Sequence, residues 1–160
     1  MSDLAADQPA TGGDDPLRLA LHICFALQNT SRAFNAVYRS VLRETGLTYP
    51  QYLVMLALWE HGETTVKGLG ALLRLDSGTL SPLLKRLETA GLITRSRSVS
   101  DERSVVIGLS EAGEELREPA RKIPAEIQAA AGLDAADLQA LDRILRQLTR
   151  SLDSAADSAD

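Results

Sequence analysis

Leu75-Asp76-Ser77-Gly78-Thr79-Leu80-Ser81-Pro82-Leu83-Leu84-Lys85-Arg86-Leu87-Glu88, followed by Ala90-Gly91-Leu92-Ile93-Thr94-Arg95-Ser96-Arg97, decides the fold. Asp76 or Ser77 can cap a helix over about 77–90, and Leu80, Leu83, Leu84 and Leu87 form its apolar stripe. Pro82 lies inside that helix, so the helix either bends there or starts its first turn later. Ala90-Gly91 stops it. Leu92–Arg97 then reads as a strand, residues 98–103 as a polar charged turn, and Ser104–Leu109 as a returning strand.

Working upstream, Val66, Leu69, Leu72 and Leu73 give a short helix over 66–73, and Thr64-Thr65 before it is a strand or a cap. Thr48 caps a helix over about 49–61, Gln51 completes a capping box, and Pro50 is tolerated in the first turn. Gly62 stops that helix. Two helices on a tight turn, then a hairpin, predict a winged helix-turn-helix. The expected fold class is mainly α with a small β-hairpin.

The outer segments read as helical arms. Leu17, Ala20, Cys24, Leu27, Ser31, Phe34, Tyr38 and Val41 follow a 3-4-3-4 spacing, a heptad seam over 17–43 that Gly46 ends. Ser110 caps a further helix that Pro119 and Pro124 should kink or divide before Gly132. Asp134 caps a last helix, 135–152, with Leu138, Leu141, Leu145 and Leu148 on one stripe. These arms have little of their own chain to pack against, so a second copy is the expected partner. The reading divides the chain into a disordered tail (1–15), a helical dimerisation region (16–46 and 110–153), a DNA-binding domain (47–109) and a second tail (154–160).

A 160-residue chain buries enough surface to need no staples, and its lone cysteine fits a reducing cytoplasm. No apolar run approaches the roughly 18 residues of a membrane span, and the acidic N-terminus is no signal peptide. The two histidines, His22 and His61, do not make a metal site, and no cofactor is expected. The net charge of −5 argues against a polyanion partner until it is mapped. Residues 64–103 carry seven bases against four acids, whereas 134–160 carry six acids against three arginines. The local patch governs.

On a duplex, the helix starting Ser77-Gly78-Thr79, with Ser81, would enter the major groove. Its short hydroxyl side chains and glycine allow close approach. Lys85 and Arg86 lie one to two turns on, placed for phosphate or groove contacts. The hairpin carries Arg97, Asp101 and Arg103, and an arginine at its tip can enter the minor groove, held by Asp101.

The stretch 75–92, with Ser100-Asp101-Glu102-Arg103-Ser104-Val105, resembles the MarR family of repressors, whose wing signature matches Asp101 to Arg103. Leu47-Thr48-Tyr49-Pro50-Gln51-Tyr52-Leu53-Val54-Met55-Leu56, with Cys24-Phe25-Ala26-Leu27 upstream, resembles the OhrR subgroup of organic-hydroperoxide sensors. The resemblance spans roughly residues 17–150. It implies a homodimer that binds a pseudopalindromic operator when reduced and leaves it when an organic hydroperoxide oxidises Cys24.

Helical geometry adds an independent point. In one straight helix Cys24 and Tyr38 stand about 21 Å apart along the axis yet within roughly 40° around it, with Ser31 midway. Two such helices packed antiparallel about Ser31 would bring Cys24 of one chain near Tyr38 of the other, and Tyr49 would complete the site. In the resembled subgroup two such tyrosines hydrogen-bond the reactive cysteine. Phenolic donors favour a thiolate, the form that attacks a peroxide. The apolar neighbours Phe25, Leu27, Phe34 and Val54 favour organic peroxides. Two departures matter. Gln28 stands where some relatives have a third tyrosine, and no second cysteine exists for an intersubunit disulfide. The oxidised product should be a mixed disulfide with a low-molecular-weight thiol, or a sulfinic or sulfonic acid. Two rival readings are a MarR-type repressor released by a small phenolic or aromatic ligand, with Cys24 a bystander, and a one-cysteine thiol peroxidase. Against the latter, no activating His or Arg lies close to Cys24 in sequence.

Overall fold

The computed structural model describes residues 17–97 and 104–158. Eight α-helices and three strands lie among them, in the order α1 (Ile23–Val41), α2 (Tyr49–His61), β1 (Thr64–Thr65), α3 (Val66–Leu73), α4 (Ser77–Thr89), β2 (Ile93–Arg97), β3 (Val105–Leu109), α5 (Glu111–Glu115), α6 (Arg117–Ala120), α7 (Ile123–Ala131) and α8 (Ala135–Asp157). The chain divides into two compact units between Ala36 and Val37. Among the described residues, no helix is long and apolar enough to cross a membrane.

The described part of the first unit is a short 3-10 turn, Leu19–Leu21, and most of α1. The expected helix over 17–43 is therefore shorter: α1 begins at Ile23, and residues Leu42–Thr45 tighten into a second 3-10 turn. The physical reason lies in the leading residues. Leu17, Leu19, Leu21 and Ile23 are all strongly exposed, so little apolar burial among the described residues rewards propagation of the helix toward the N-terminus.

The second unit is built on one core. Leu42, Tyr52, Val54, Met55, Leu58, Leu69, Leu80, Leu84, Leu87, Ile93, Ile107 and Ile123 are buried together. Local signals set the element ends as expected. The Thr48 N–H donates to Gln51 Oε1 at 2.9 Å at the head of α2. Gly62 ends α2 with φ 74°, a conformation that costs a side-chain-bearing residue energy. Asp76 caps α4 by accepting from Thr79 N at 2.8 Å. Pro82 neither ends α4 nor delays its start. It cannot donate to the Gly78 carbonyl, but Gly78 is exposed and water can serve that group.

Thr64-Thr65 is both strand and cap. β1 pairs antiparallel with β3 through Thr64↔Ile107 and Thr65↔Val106, while the Thr65 hydroxyl accepts from Gly68 N at 3.0 Å. The expected two-stranded hairpin is thus a three-stranded sheet of order β1-β3-β2. Leu116 separates α5 from α6, and Arg121-Lys122 separates α6 from α7, with Pro119 and Pro124 in or near the first turns of the later segments. Helix α8 runs to Asp157. Residues 154–157, read as the start of a tail, are helical. Neither α1 nor α8 buries a residue fully, and Leu141, Ile144, Leu145 and Leu152 of α8 are exposed.

Candidate functional site

Two candidate surfaces emerge, one aromatic and one basic. Tyr38 stands near the end of α1 and Tyr49 opens α2. Their ring centroids are 4.3 Å apart with planes tilted by 31°. Tyr52, one turn into α2, stands 6.1 Å from Tyr38 and meets Trp59 edge-on at 6.4 Å. Offset and edge-to-face arrangements suit the ring quadrupoles. The Trp59 indole N–H donates to the Gly113 carbonyl at 3.0 Å, which ties α2 to α5. Burial, followed by repulsion from neighbouring phenols, pushes the Tyr38 and Tyr52 hydroxyls above the ordinary phenol range. Both stay protonated hydrogen-bond donors at any physiological pH. Tyr52 was not singled out from sequence. Its place three residues after Tyr49 on one helix face was the available signal.

Cys24 is an exposed thiol in the first turn of α1, about two turns nearer the helix start than the 17–43 span put it. A helix N-terminus carries unpaired N–H groups and about half a positive elementary charge. Phe25, Leu27 and Phe34 of the same helix are half-buried, and Val54 lies in the core of the second unit.

The basic surface is the outer face of α4 with the root of the wing. Ser77, Gly78, Thr79, Ser81, Lys85 and Arg86 are all exposed on α4, and Arg97 is exposed at the end of β2. Asp101 and Arg103 lie outside the described residues. Two of the hydroxyls are engaged within the chain: Thr79 Oγ1 donates to Asp76 Oδ2 at 2.8 Å, and Ser81 Oγ donates to Ser77 O at 2.7 Å. They remain acceptors, or exchange these bonds on contact. Asp76 is held well below the usual carboxylate range, chiefly by the Thr79 N–H and then by its hydroxyl, so the cap stays charged. A groove of about 510 Å³ between α4 and β2 is lined by Gly78, Ser81, Pro82, Lys85, Glu88 and Arg95. Arg95 Nε pairs with Glu88 Oε2 at 3.0 Å across it. Arg95 was counted among the bases of this segment but not among the contacts. Only the pairing of β2 with the end of α4 reveals its position.

A second cavity, of about 420 Å³, lies between α2 and the α6–α7 region, with Tyr52, Trp59, Arg117 and Arg121 in its wall. Each arginine is paired with the glutamate three residues before it, Glu114 or Glu118. Among the described residues, no cluster of His, Cys, Asp or Glu has the makings of a metal site.

Comparison with known proteins follows the same lines. Residues 36–119 match the family model of the transcriptional regulators SarA/Rot. The chain is 46% identical over 138 residues to the organic hydroperoxide resistance transcriptional regulator of Bacillus subtilis, covering 86% of this chain and 94% of that one. The chain belongs to the MarR/SarA-type winged-helix regulators. It is also 42% identical over 150 residues to the HTH-type transcriptional regulator TtmR of Methylorubrum extorquens, covering 94% of this chain and 77% of the relative. Among solved structures, reduced AbfR bound to DNA superimposes with a TM-score of 0.75 at 34% identity, over 88% of this chain and 96% of that one. AbfR, from Staphylococcus epidermidis, is also known in an overoxidized form bound to DNA and in a disulfide-formed state. In this MarR/SarA-type chain, α3 and α4 form the helix-turn-helix and β2–β3 the wing.

Proposed function

We propose that this chain is a redox-sensing transcriptional repressor of the cytoplasm, a homodimer whose reduced form holds operator DNA and whose release follows oxidation of Cys24 by an organic hydroperoxide. The observation that carries the reading is the Tyr38–Tyr49 pair, two phenols brought together at 4.3 Å in a chain with one thiol. The 14-residue spacing puts Cys24 and Tyr38 on one helix face, so an antiparallel partner offers the thiol of one protomer to the tyrosines of the other. The exposed Leu17, Leu19, Leu21 and Ile23 leading into α1, with Leu141, Ile144, Leu145 and Leu152 of α8, supply the material for that interface. Support from kinship comes from the Bacillus subtilis hydroperoxide regulator and from AbfR.

The chemistry balances as follows. The Cys24 thiolate attacks the distal oxygen of the hydroperoxide and the O–O bond breaks. The alkoxide leaves and takes up a proton as the alcohol. The sulfenic acid then condenses with a low-molecular-weight thiol, forming an S–S bond and releasing water. The new bulk at Cys24 displaces the two tyrosines and shifts the two reading heads, which must engage both half-sites together. On the DNA, Ser77, Gly78, Thr79 and Ser81 face the major groove, and Lys85 and Arg86 contact phosphates or the groove. From the wing, which carries Arg97, Asp101 and Arg103, an arginine enters the minor groove and Asp101 holds it in place.

The protein acts stoichiometrically, as a switch and not as a peroxidase. A gel shift on the chain's own promoter region, using reduced, peroxide-treated and Cys24→Ser protein, tests the reading. Cys24→Ser should bind like the reduced protein and ignore peroxide. Release of Cys24→Ser by cumene hydroperoxide would refute the thiol trigger. Release of the wild type by a phenolic ligand alone, without change at Cys24, would favour the ligand-gated rival. Consumption of more than one equivalent of peroxide per thiol would make it an enzyme.

A further inference from the structure

Arg74 is the one non-glycine residue with positive φ among the described residues, at 55°. It ends α3, its N–H donating to the Gly70 carbonyl, and it stands two residues before the cap of α4. The left-handed conformation disfavours a residue with a β-carbon, so glycine or asparagine would suit the turn better. What arginine brings is its side chain. Nη2 donates to Oδ1 of Asp153 at 2.6 Å. Asp153 lies one turn from the end of α8, 79 residues away. Beside the pair is a cavity of about 630 Å³ lined by Lys67, Arg74, Asp76 and Ser77, with Leu80 behind them.

The position is informative. The turn between the helices of a helix-turn-helix lies at the mouth of the reading helix, and phosphates flank the groove that the helix enters. A guanidinium there has the geometry and charge to take a phosphate, and a carboxylate is the other anion that fits the same fork. Here the carboxylate comes from the chain itself. Both side chains are about half exposed, 60% for Arg74 and 48% for Asp153, so water weakens the pair and it exchanges easily. An exposed, weak pair is a poor strut and a good placeholder.

We propose that Asp153 is an internal stand-in for a DNA phosphate: it occupies Arg74 in the free protein and yields it to the DNA backbone on binding. Resting on the DNA-binding reading above, this makes the end of α8 a brake on binding to any duplex. The displacement costs every duplex the same, so it lowers affinity for all DNA without changing the preference between sequences.

The test is DNA binding by the reduced full chain across a range of salt, on a promoter duplex and on a random-sequence duplex. The variants are Asp153→Asn, Arg74→Gln, Arg74→Lys and the Asp153→Asn/Arg74→Gln pair. Asp153→Asn should bind about two- to fivefold tighter, by the same factor on promoter and on random sequence. Arg74→Gln should weaken binding and flatten the salt dependence by about 0.9 in log–log slope, the loss of one phosphate contact. Arg74→Lys should restore the slope. In the Arg74→Gln background, Asp153→Asn should change nothing. Equal tightening in both backgrounds would reduce Asp153 to a distant charge and overturn the proposal. Weaker binding by Asp153→Asn would make the pair a strut and overturn it equally. An unchanged slope in Arg74→Gln would remove the phosphate contact. Failure of wild type to prefer its promoter over random sequence would instead count against the repressor reading, and the random-duplex arm would still decide the role of Asp153.

Discussion

Tyr38 and Tyr49 meet ring to ring at 4.3 Å across the corner where α1 gives way, through the Leu42–Thr45 turn, to α2. Either ring can lose its hydroxyl and keep its stacking. A hydrogen bond to a charged acceptor contributes about 1.5–3 kcal/mol. Tyr38→Phe or Tyr49→Phe should therefore raise the dose of cumene hydroperoxide needed for half-release from DNA by roughly tenfold or more, with reduced binding unchanged. Tyr52→Phe, whose ring is buried against Trp59, should leave the dose unaltered. The comparison is read by gel shift, and an equal effect of all three substitutions would deny Tyr38 and Tyr49 a special role.

The tyrosine cluster also titrates. In the folded chain the Tyr38 and Tyr52 phenols lie above their ordinary value of about 10, chiefly because burial penalises the phenolate. A folded-state value raised above the unfolded one adds stability that is fully present below about pH 10. That stability is lost as the pH climbs through the folded-state values. Absorbance at 295 nm should show these two tyrosines ionising late, together with a fall in Tm on the alkaline side. Ionisation of both at the free-phenol value would contradict the packing.

One thiol per chain constrains the oxidised products. In the antiparallel arrangement the two Cys24 residues of a dimer stand about 21 Å apart, far beyond the roughly 7 Å that a disulfide spans. Peroxide treatment should therefore yield no covalent dimer on a non-reducing gel. Mass spectrometry should show one small-thiol adduct per chain when glutathione or cysteine is present, and added oxygens when it is absent. A covalent dimer as the main product would refute the antiparallel register.

Much of the reading head was legible because its boundaries are written in local chemistry. Thr48 with Gln51, Asp76, Gly62 and Ser110 each satisfy or end a backbone segment within four residues of themselves. The beginning of α1 was not legible. A heptad drawn through Leu17 and Ala20 counts spacing, whereas helix growth there depends on packing that one chain does not supply. Thr64-Thr65 is ambiguous in sequence, because two residues carry no period and the partner strand lies some forty positions on. The end of α8 was missed because Ser-Ala-Ala-Asp reads as a polar tail, although alanine is the strongest helix former. At the sites, residue types were legible and pairings were not. Neither the Glu88–Arg95 nor the Arg74–Asp153 contact follows from any spacing in the sequence.

Glu88 and Arg95 give a test of the groove beside α4. Arg95 stands on the wall of that groove, and a guanidinium that met a phosphate there would position the protein without reading bases. Arg95→Gln should weaken binding to all duplexes alike and lower the salt slope by about 0.9. Loss of binding confined to the operator would show instead that Arg95 reads sequence.

Gly113 tests how the wing is moored. A β-carbon added there would stand 2.0 Å from the Leu92 carbonyl oxygen, a backbone atom that cannot swing aside. Gly113→Ala should cost about 1–3 kcal/mol by overpacking, and it disturbs the acceptor of the Trp59 N–H as well. Thermal unfolding should register a drop of several degrees. A neutral outcome would mean that α5 does not press on the strand as described.

The uncovered ladder of Leu17, Leu19, Leu21 and Ile23 ties the life of this regulator to its abundance. A protomer on its own leaves those side chains wet. If the partner supplies the phenols proposed above, docking against a sister chain arms the sulfur and aligns the two DNA-gripping halves in one event. Alarm and brake would then switch on at the same concentration, so that a cell short of this protein would lose both together and would never hold a brake it could not release.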